Sequence, residues 1–222
     1  MLLSLYQISL ENQLEPSELL FLSLMINVLQ DVKQVSWEKL ATVLPLPILF
    51  ASRRKKIQRF LSLPSFNIET LWFPIIEKWL GQKFVKDQAI YMAIDRTSWC
   101  QLNLRMISII YDQRAIPVYW QLLPKLGSSN LTEQTTAISR VLPVFTRYKP
   151  VFLGDREFCS INLAAWLREQ GIRFCLRLKK SEFIASKNGS WQQLAQLGLK
   201  PGISVFLPEI KVTKSQKVSG FN

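Results

Sequence analysis

The sequence predicts a mixed α+β protein in which an all-helical N-terminal domain precedes an α/β domain. Three observations support this fold class. The first 85 residues contain one glycine and carry apolar residues at helical spacing. From Ala89 onward, short runs rich in β-branched and aromatic residues replace that pattern. These runs alternate with amphipathic segments in the order three strands, helix, strand, helix, strand, which is typical of a sheet with helices packed on it.

Residues that favour helix starts and stops divide the N-terminal domain. Pro16 and Ser17 begin a predicted helix that runs to about Lys33. Ser36 is placed to cap a second helix through Leu44, and the two prolines that follow stop it. The front of the domain is therefore expected to be a pair of helices with short connections.

A basic segment at 52–61 is the most informative part of this domain. Read as a helix, it places Ile57, Phe60 and Leu61 on one face and cations on the opposite face. A basic outward face fits contact with a DNA backbone, whereas a solvated basic face without a partner is the alternative. The candidate DNA-binding residues of this helix are Arg53, Arg54, Lys55, Lys56 and Arg59.

One more helix is expected before the strands. Asn67 is placed to cap it, and apolar residues recur every four positions from Leu71 to Leu80. Pro74 must kink this helix or belong to its first turn, because proline has no amide hydrogen to donate. Residues 81–88 then read as a charged linker into the second domain.

The α/β domain begins with three predicted strands, at 90–97, 104–111 and 115–123. Residues 112–114 separate the second strand from the third, which indicates a hairpin. Asn130 and Glu133 have the spacing of a capping box, so a helix ending near Pro143 is expected after them.

The remaining elements are assigned by the same signals. A fourth strand is predicted at 151–154, a helix at 161–170 that Gly171 ends, and a fifth strand at 172–178. Beyond them the pattern predicts a short helix at 191–197 and strands at 204–207 and 210–213.

The composition limits the chemistry. Of the 222 residues 48% are hydrophobic, and the net charge of +12 favours a polyanionic partner, nucleic acid before a membrane surface. Histidine is absent, so Ser-His-Asp triads and histidine metal sites are excluded. The apolar window 19–29 is too short to span a bilayer. Cys100, Cys159 and Cys175 form no CxxC pair and are expected to be buried free thiols in a reducing cytoplasm.

Two predicted strands each deliver an aspartate followed by an arginine. The first reads Ala-Ile-Asp-Arg-Thr-Ser-Trp around Asp95, and the second reads Gly-Asp-Arg-Glu-Phe around Asp155. Carboxylates at the carboxyl ends of strands are well placed for chemistry in α/β sheets. The alternative is that each aspartate caps a turn and each arginine is its salt-bridge partner.

These two motifs resemble those of the DDE transposases of bacterial insertion sequences, in the subgroup with an Asp-Arg-Glu signature, and the resemblance covers essentially the whole chain. It implies an RNase H-like catalytic core at 89–180, preceded by a helical, DNA-binding domain at 1–85. Residues 181–222 resemble the start of a β-rich insertion. Asp95 and Asp155 would be two of three catalytic carboxylates that bind two Mg²⁺ (or Mn²⁺) ions, which suits hard cations that prefer oxygen ligands. Arg156 would contact a DNA phosphate or pair with a carboxylate.

The third carboxylate of that family does not follow the fifth strand of this chain. It belongs to a Tyr-xx-Arg-xxx-Glu-xxxxxx-Lys setting, and Glu182 and Glu209 lie in other contexts. The expectation is a chain truncated before this residue, as a decayed copy or as the first part of a split reading frame. Glu157 either substitutes for the missing carboxylate or, in the favoured interpretation, is the structural partner of an arginine.

Two functional hypotheses follow from these observations. The first is a transposase polypeptide that binds double-stranded DNA at transposon ends, alone or as an oligomer with itself or with full-length transposase, and that is incomplete or inactive by itself. The second is a catalytically dead DNA-binding regulator of transposition. A stand-alone RNase H-like nuclease fits the helical front domain poorly. Either protein is expected in the prokaryotic cytoplasm, associated with the nucleoid and not with a membrane.

Overall fold

The chain is described from a computed structural model, which covers residues 4–99, 102–124, 127, 129–158, 160–185, 189–203, 205 and 212. It divides into two compact units, residues 1–85 and residues 86–222. The helices described in the first unit are α1 (Ser4–Glu11), α2 (Pro16–Val32), α3 (Trp37–Val43), α4 (Phe50–Leu61) and α5 (Phe73–Lys83). None of the described helices of the chain is long and apolar enough to cross a membrane.

Local signals fix the helix ends in this first unit. The side chain of Ser36 accepts a hydrogen bond from the amide of Lys39 at 3.4 Å and so caps α3, as predicted. The residues before α5 form a π-helical turn, Ile68–Trp72, in which the amide of Phe73 donates to the carbonyl of Ile68. Pro74 then occupies the first turn of α5, which is one of the two positions predicted for it.

The core of the helical unit is formed by apolar side chains of α2, α3 and α4. The buried members are Phe21, Met25, Val28, Leu40, Ala41, Leu44, Ile57 and Phe60. Ile57 and Phe60 are therefore on the buried face of α4, as predicted. The prediction was wrong for Leu61, which is 49% exposed because the packed face of α4 ends one residue earlier. A second cluster joins α1 to α5.

The second unit is built on a five-stranded mixed sheet. Its strands are β1 (Ala89–Trp99), β2 (Leu102–Tyr111), β3 (Arg114–Leu123), β4 (Lys149–Gly154) and β5 (Arg173–Leu176). In the order β3-β2-β1-β4-β5, the first three strands are antiparallel, whereas β1, β4 and β5 run parallel. Asp112 and Gln113 form the β2–β3 turn with φ of 48° and 59°, so the predicted hairpin is confirmed.

Two helices accompany this sheet, α6 (Leu131–Val141) and α7 (Ile161–Glu169). Asn130 and Glu133 form the predicted capping box at the start of α6, with N···O distances of 3.0 and 2.9 Å. A 3-10 turn, Leu142–Phe145, continues α6 to the following strand. The predicted mixed α+β class is confirmed, including the order of its strands and helices.

The segment after the main sheet departs from the prediction. The expected helix at 191–197 is instead a strand, β7 (Trp191–Gln193), followed by a 3-10 turn, Leu194–Leu197. β7 pairs antiparallel with β6 (Phe183–Ala185), a partner that the periodicity of β7 alone does not reveal. The strands predicted at 204–207 and 210–213 lie outside the described residues, except for Val205 and Val212.

Candidate functional site

The two aspartates lie one residue beyond a pair of aligned positions on neighbouring parallel strands. Ile94 of β1 is in register with Gly154 of β4, and that pair is the last between these strands. Adjacent strands are about 4.8 Å apart, so the next positions, Asp95 and Asp155, are neighbours where the pairing of β1 with β4 ends. Asp155 directly follows β4, whereas β1 continues past Asp95 to Trp99. Both residues are exposed to solvent. The fold therefore brings together two carboxylates that are 60 positions apart in the chain.

Each aspartate is oriented by a hydrogen bond to nearby backbone. The Oδ1 atom of Asp95 accepts from the amide of Arg96 at 2.7 Å. The Oδ1 atom of Asp155 accepts from the amide of Glu157 at 2.9 Å, while its carbonyl accepts from the amide of Phe158 at 3.0 Å. These bonds close a tight turn directly after β4, within residues 155–158.

Gly154 is required by the packing of this turn. A Cβ atom at this position would lie 2.8 Å from Cδ2 of Leu176 and 2.9 Å from Cβ of Phe158. Phe158 is fully buried and anchors the turn, and the Gly154 carbonyl accepts from the amide of Arg177 at 2.9 Å. The glycine of the second motif therefore allows the turn to pack closely against β5.

An ion pair joins the two motifs. Nε of Arg96 lies 2.5 Å from Oε1 of Glu157, and both side chains are largely buried, at 19% and 16% exposure. Nη1 of Arg96 also donates to Oδ1 of Asn103 at 2.9 Å and to Oγ of Ser98 at 3.3 Å. Glu157 Oε1 additionally accepts from the amide of Ser129 at 3.4 Å. The arginine expected to partner Glu157 is therefore present, and it comes from the first motif.

The electrostatic surroundings of Arg96 include all three acidic residues of the motifs. The hydrogen bond from Arg96 to Glu157 is the main cause that raises the pKa of Arg96, and the charges of Asp155 and Asp95 add to it. Burial of the guanidinium opposes this shift. One cation thus lies within electrostatic range of three carboxylates.

The donor set of this site fits a magnesium-type ion. Mg²⁺ prefers oxygen ligands and is commonly held by one or two carboxylates, with water and substrate phosphate completing the shell. Asp95 and Asp155 supply two such carboxylates at an exposed edge, whereas Glu157 is engaged by Arg96. Within the described residues, no group of three Asp, Glu or Cys side chains is arranged to hold a metal.

Residues 95–221 match the family model for the transposase DDE domain. The chain belongs to this family. The match begins at Asp95 and includes the whole second motif, so it contains both aspartates, and it confirms the resemblance to DDE transposases. The subgroup and the truncation stay predictions. Because this domain is RNase H-like, the predicted type of core is confirmed as well. No match is found among curated proteins.

The helical unit lies outside the residues matched to the transposase DDE domain. The cations of its basic helix α4 differ in their contacts. Arg53 donates to the carbonyls of Thr42, Leu44 and Ile48 at distances of 2.9 to 3.1 Å. These contacts satisfy carbonyls at the end of α3 and in the connection to α4. Arg53 thus has a structural role in the fold that its position in a basic run did not indicate.

The other cations of α4 are on the surface. Arg54 pairs with Glu38 at 3.2 Å, an exposed ion pair of the kind that contributes little to stability. Nζ of Lys56 lies 5.0 Å from the ring centroid of Phe21. Lys55 and Arg59 are exposed. An open groove of about 410 Å³ between α2 and α4 is lined by Lys56 and Arg59 together with Ser17, Glu18, Phe21, Ile48, Ser52, Phe60 and Leu63.

Some sequence predictions concern side chains outside the described part of the chain. This applies to the side chain of Arg156 and to Cys100 and Cys159. Cys175 is a free thiol, as predicted, but it is exposed and not buried, because it lies on β5 at the edge of the sheet. The support that Asn103 and Ser129 give to the ion pair was missed; the hairpin register, which aligns Asn103 with Ser98, could have indicated the first of them.

Proposed function

We propose that this chain is a transposase polypeptide that binds double-stranded DNA at transposon ends and holds a divalent cation, Mg²⁺ or Mn²⁺, with Asp95 and Asp155. DDE transposase domains generally use a divalent metal. The observation that supports the proposal is the register of Ile94 with Gly154, because the next residue along each chain segment is one of the two aspartates. The expected location is the prokaryotic cytoplasm, in association with the nucleoid.

The proposed chemistry depends on charge neutralisation. Divalent ions, when bound, stabilise the charge on the attacking and leaving oxygens of a phosphodiester. The protein's part is to present two carboxylates at an exposed edge and to keep them in place. The backbone hydrogen bonds to Asp95 and Asp155 fix their orientation, and the close packing at Gly154 fixes the turn that carries Asp155.

We further propose that this chain by itself does not cleave DNA. The third carboxylate of the family setting is not found after β5, since Glu182 and Glu209 lie in other contexts. Glu157 is engaged by Arg96 and the amide of Ser129, so it is poorly placed to replace that residue. The chain would act with a second copy or with full-length transposase, or as a catalytically dead DNA-binding regulator.

DNA contact is assigned to the exposed cations of α4. Lys55 and Arg59 are four residues apart and so share one face of the helix, with Lys56 beside them. Arg54 forms an ion pair with Glu38, and Arg53 donates hydrogen bonds to three backbone carbonyls. Arg156 remains a candidate phosphate contact in the second unit.

The metal site is tested by titrating Mn²⁺ into the full chain and measuring free ion by electron paramagnetic resonance. Asp95→Asn and Asp155→Asn should each weaken Mn²⁺ binding at least about tenfold, because each removes a charged ligand. Asp112→Asn is the matched control, since Asp112 lies in the hairpin turn between β2 and β3 and asparagine tolerates its positive φ. Wild-type affinity in both test variants would contradict the proposed site.

The DNA surface is tested by measuring the salt dependence of binding to DNA carrying a transposon end. Lys55→Ala/Arg59→Ala should reduce the slope of log K against log salt by about 2, since each lost phosphate contact contributes about 0.9. Arg53→Ala should leave that slope unchanged but lower the stability of the helical unit by about 1 kcal/mol, because backbone carbonyls lose their donor. An unchanged slope in the double variant would show that DNA binds elsewhere.

The proposed inactivity is tested by incubating the purified chain with DNA and Mg²⁺. Mg²⁺-dependent cleavage would overturn the proposed inactivity. If that cleavage were lost in Asp95→Asn, the hypothesis of a catalytically dead regulator would be excluded.

A further inference from the structure

We infer that Glu157 is a positioning residue that holds the guanidinium of Arg96 away from Asp95 and Asp155, so that these two carboxylates stay available to a divalent cation. The inference rests on the proposed metal site and adds a role for a third acidic residue that does not touch the ion. It also assigns a role to Arg96, whose positive charge would otherwise compete with the metal ion for the two aspartates.

The position of Arg96 explains why it needs to be held. β1 continues to Trp99, but its pairing with β4 ends at Ile94 and Gly154. Beyond that pair, Arg96 adjoins the turn that follows β4, and it donates to Glu157 in that turn. Its guanidinium is within electrostatic range of both aspartates.

The charges near Arg96 favour movement toward those aspartates if Glu157 were neutral. Asp155 and Asp95 are the remaining acidic groups whose charges act on Arg96 in the structure. A guanidinium matches a carboxylate in a bidentate geometry, so Asp155, in the same turn as Glu157, would be a strong alternative partner. An arginine bound there would compete with a divalent cation for the same oxygens.

A second arginine lies opposite Arg96 in the sheet. Arg105 of β2 is its partner in the β1–β2 register, and it is 1% exposed. Like charges at opposed positions of neighbouring strands are unfavourable. The carboxylate of Glu157 supplies an opposite charge for Arg96 at this position.

Glu157 is itself fixed to the aspartate that it protects. Its amide donates to Oδ1 of Asp155 at 2.9 Å, and its carboxylate accepts from the amide of Ser129 at 3.4 Å. One residue therefore orients Asp155 through its backbone and withdraws the competing cation through its side chain. A positioning role follows from this combination.

The test uses Mn²⁺ titration of the full chain, monitored by electron paramagnetic resonance. Glu157→Gln keeps the size and the backbone contacts of the residue but removes its charge. We expect this variant to bind Mn²⁺ about tenfold more weakly, within the range of coupling between groups in direct contact. The double variant Arg96→Gln/Glu157→Gln removes the competing cation as well, and its affinity should return to within about threefold of wild type.

The outcomes separate this inference from a purely structural role. If Glu157 only stabilised the turn, the double variant would bind no better than Glu157→Gln, and that result would overturn the inference. Unchanged Mn²⁺ affinity in Glu157→Gln would overturn it too. If Glu157→Gln does not fold, judged by circular dichroism, the folded double variant decides: binding within about threefold of wild type supports the inference, and loss of binding refutes it. Failure of the metal site itself is seen separately, as unaltered Mn²⁺ binding in Asp95→Asn and Asp155→Asn.

Discussion

The two units of this chain differ in whether their described polar residues are buried. In the described part of the helical unit the buried residues are apolar, and no charged residue is fully buried. The buried polar residues described in the chain all belong to the sheet unit: Asn103, Arg105, Ser108, Ser129 and Gln134. The sheet unit therefore holds polar side chains in its interior, and the described part of the helical unit does not.

The physical cost of the two arrangements differs as well. Exposed cations on a helix need no partner, because water solvates them. Buried polar groups must be hydrogen-bonded, and each unpartnered one reduces stability. Proteins usually accept such a cost near functional sites, and the polar cluster of the sheet unit includes direct partners of the Arg96–Glu157 ion pair.

Arg96 and Arg105, which are opposite each other in the sheet, differ in how well their guanidinium groups are hydrogen-bonded. Arg96 has a carboxylate and two further acceptors. Arg105 donates to Oε1 of Gln121 at 2.6 Å, but its Nε and Nη1 atoms have no hydrogen-bond partner in the part of the chain that the structure describes. Burial lowers the pKa of Arg105, and the charges of Glu133 and Tyr119 oppose this shift. Neighbouring residues of one type thus have very different environments.

Among substitutions that compare the two units, the largest change in the free energy of unfolding is expected at Gly154. Gly154→Ala should lower the free energy of unfolding of the sheet unit by about 1–3 kcal/mol, because its Cβ would meet Phe158 and Leu176 at less than 3 Å. Urea unfolding followed by circular dichroism measures the loss, and hydrogen exchange at β1 and β4 locates it.

The helical unit offers the matched control for this substitution. A Cβ at Gly81, inside α5, meets no atom within 4 Å, and its backbone is helical. Gly81→Ala should therefore stabilise the chain by about 0.5–1 kcal/mol. Equal losses for both variants would show that the packing at Gly154 is not special and would remove the steric reason for a rigid turn after β4.

A smaller effect, of opposite sign, is expected at Arg105. Arg105→Met should raise the free energy of unfolding by about 1 kcal/mol, because it removes a buried charge that has no carboxylate partner among the described residues. Thermal or urea unfolding measures the change, and Arg105→Met/Gln121→Leu controls for the acceptor that the single variant leaves unpaired. A loss above about 1 kcal/mol in both variants would mean that the guanidinium has a strong partner in solution.

Much of this architecture follows from signals that lie within a few residues of one another. The capping box of Asn130 and Glu133 defines the start of α6, and the turn at Asp112 and Gln113 defines the hairpin. The order of strands and helices could be read from the alternation of apolar patterns. Asp95 and Asp155 could be selected as candidates because each follows an apolar run, and their catalytic role remains a prediction.

What only the tertiary structure decided are the partners of the charged residues. Arg96 and Glu157 are 61 positions apart, and Arg53 bonds to carbonyls up to 11 residues away. β7 needed β6 to become a strand. Sequence periodicity reports the face and the local turn, because those depend on neighbouring dihedral angles. The choice of ion-pair and strand partners depends on which distant segments the folded sheet brings within a few ångströms of one another. Local sequence patterns do not specify those distances.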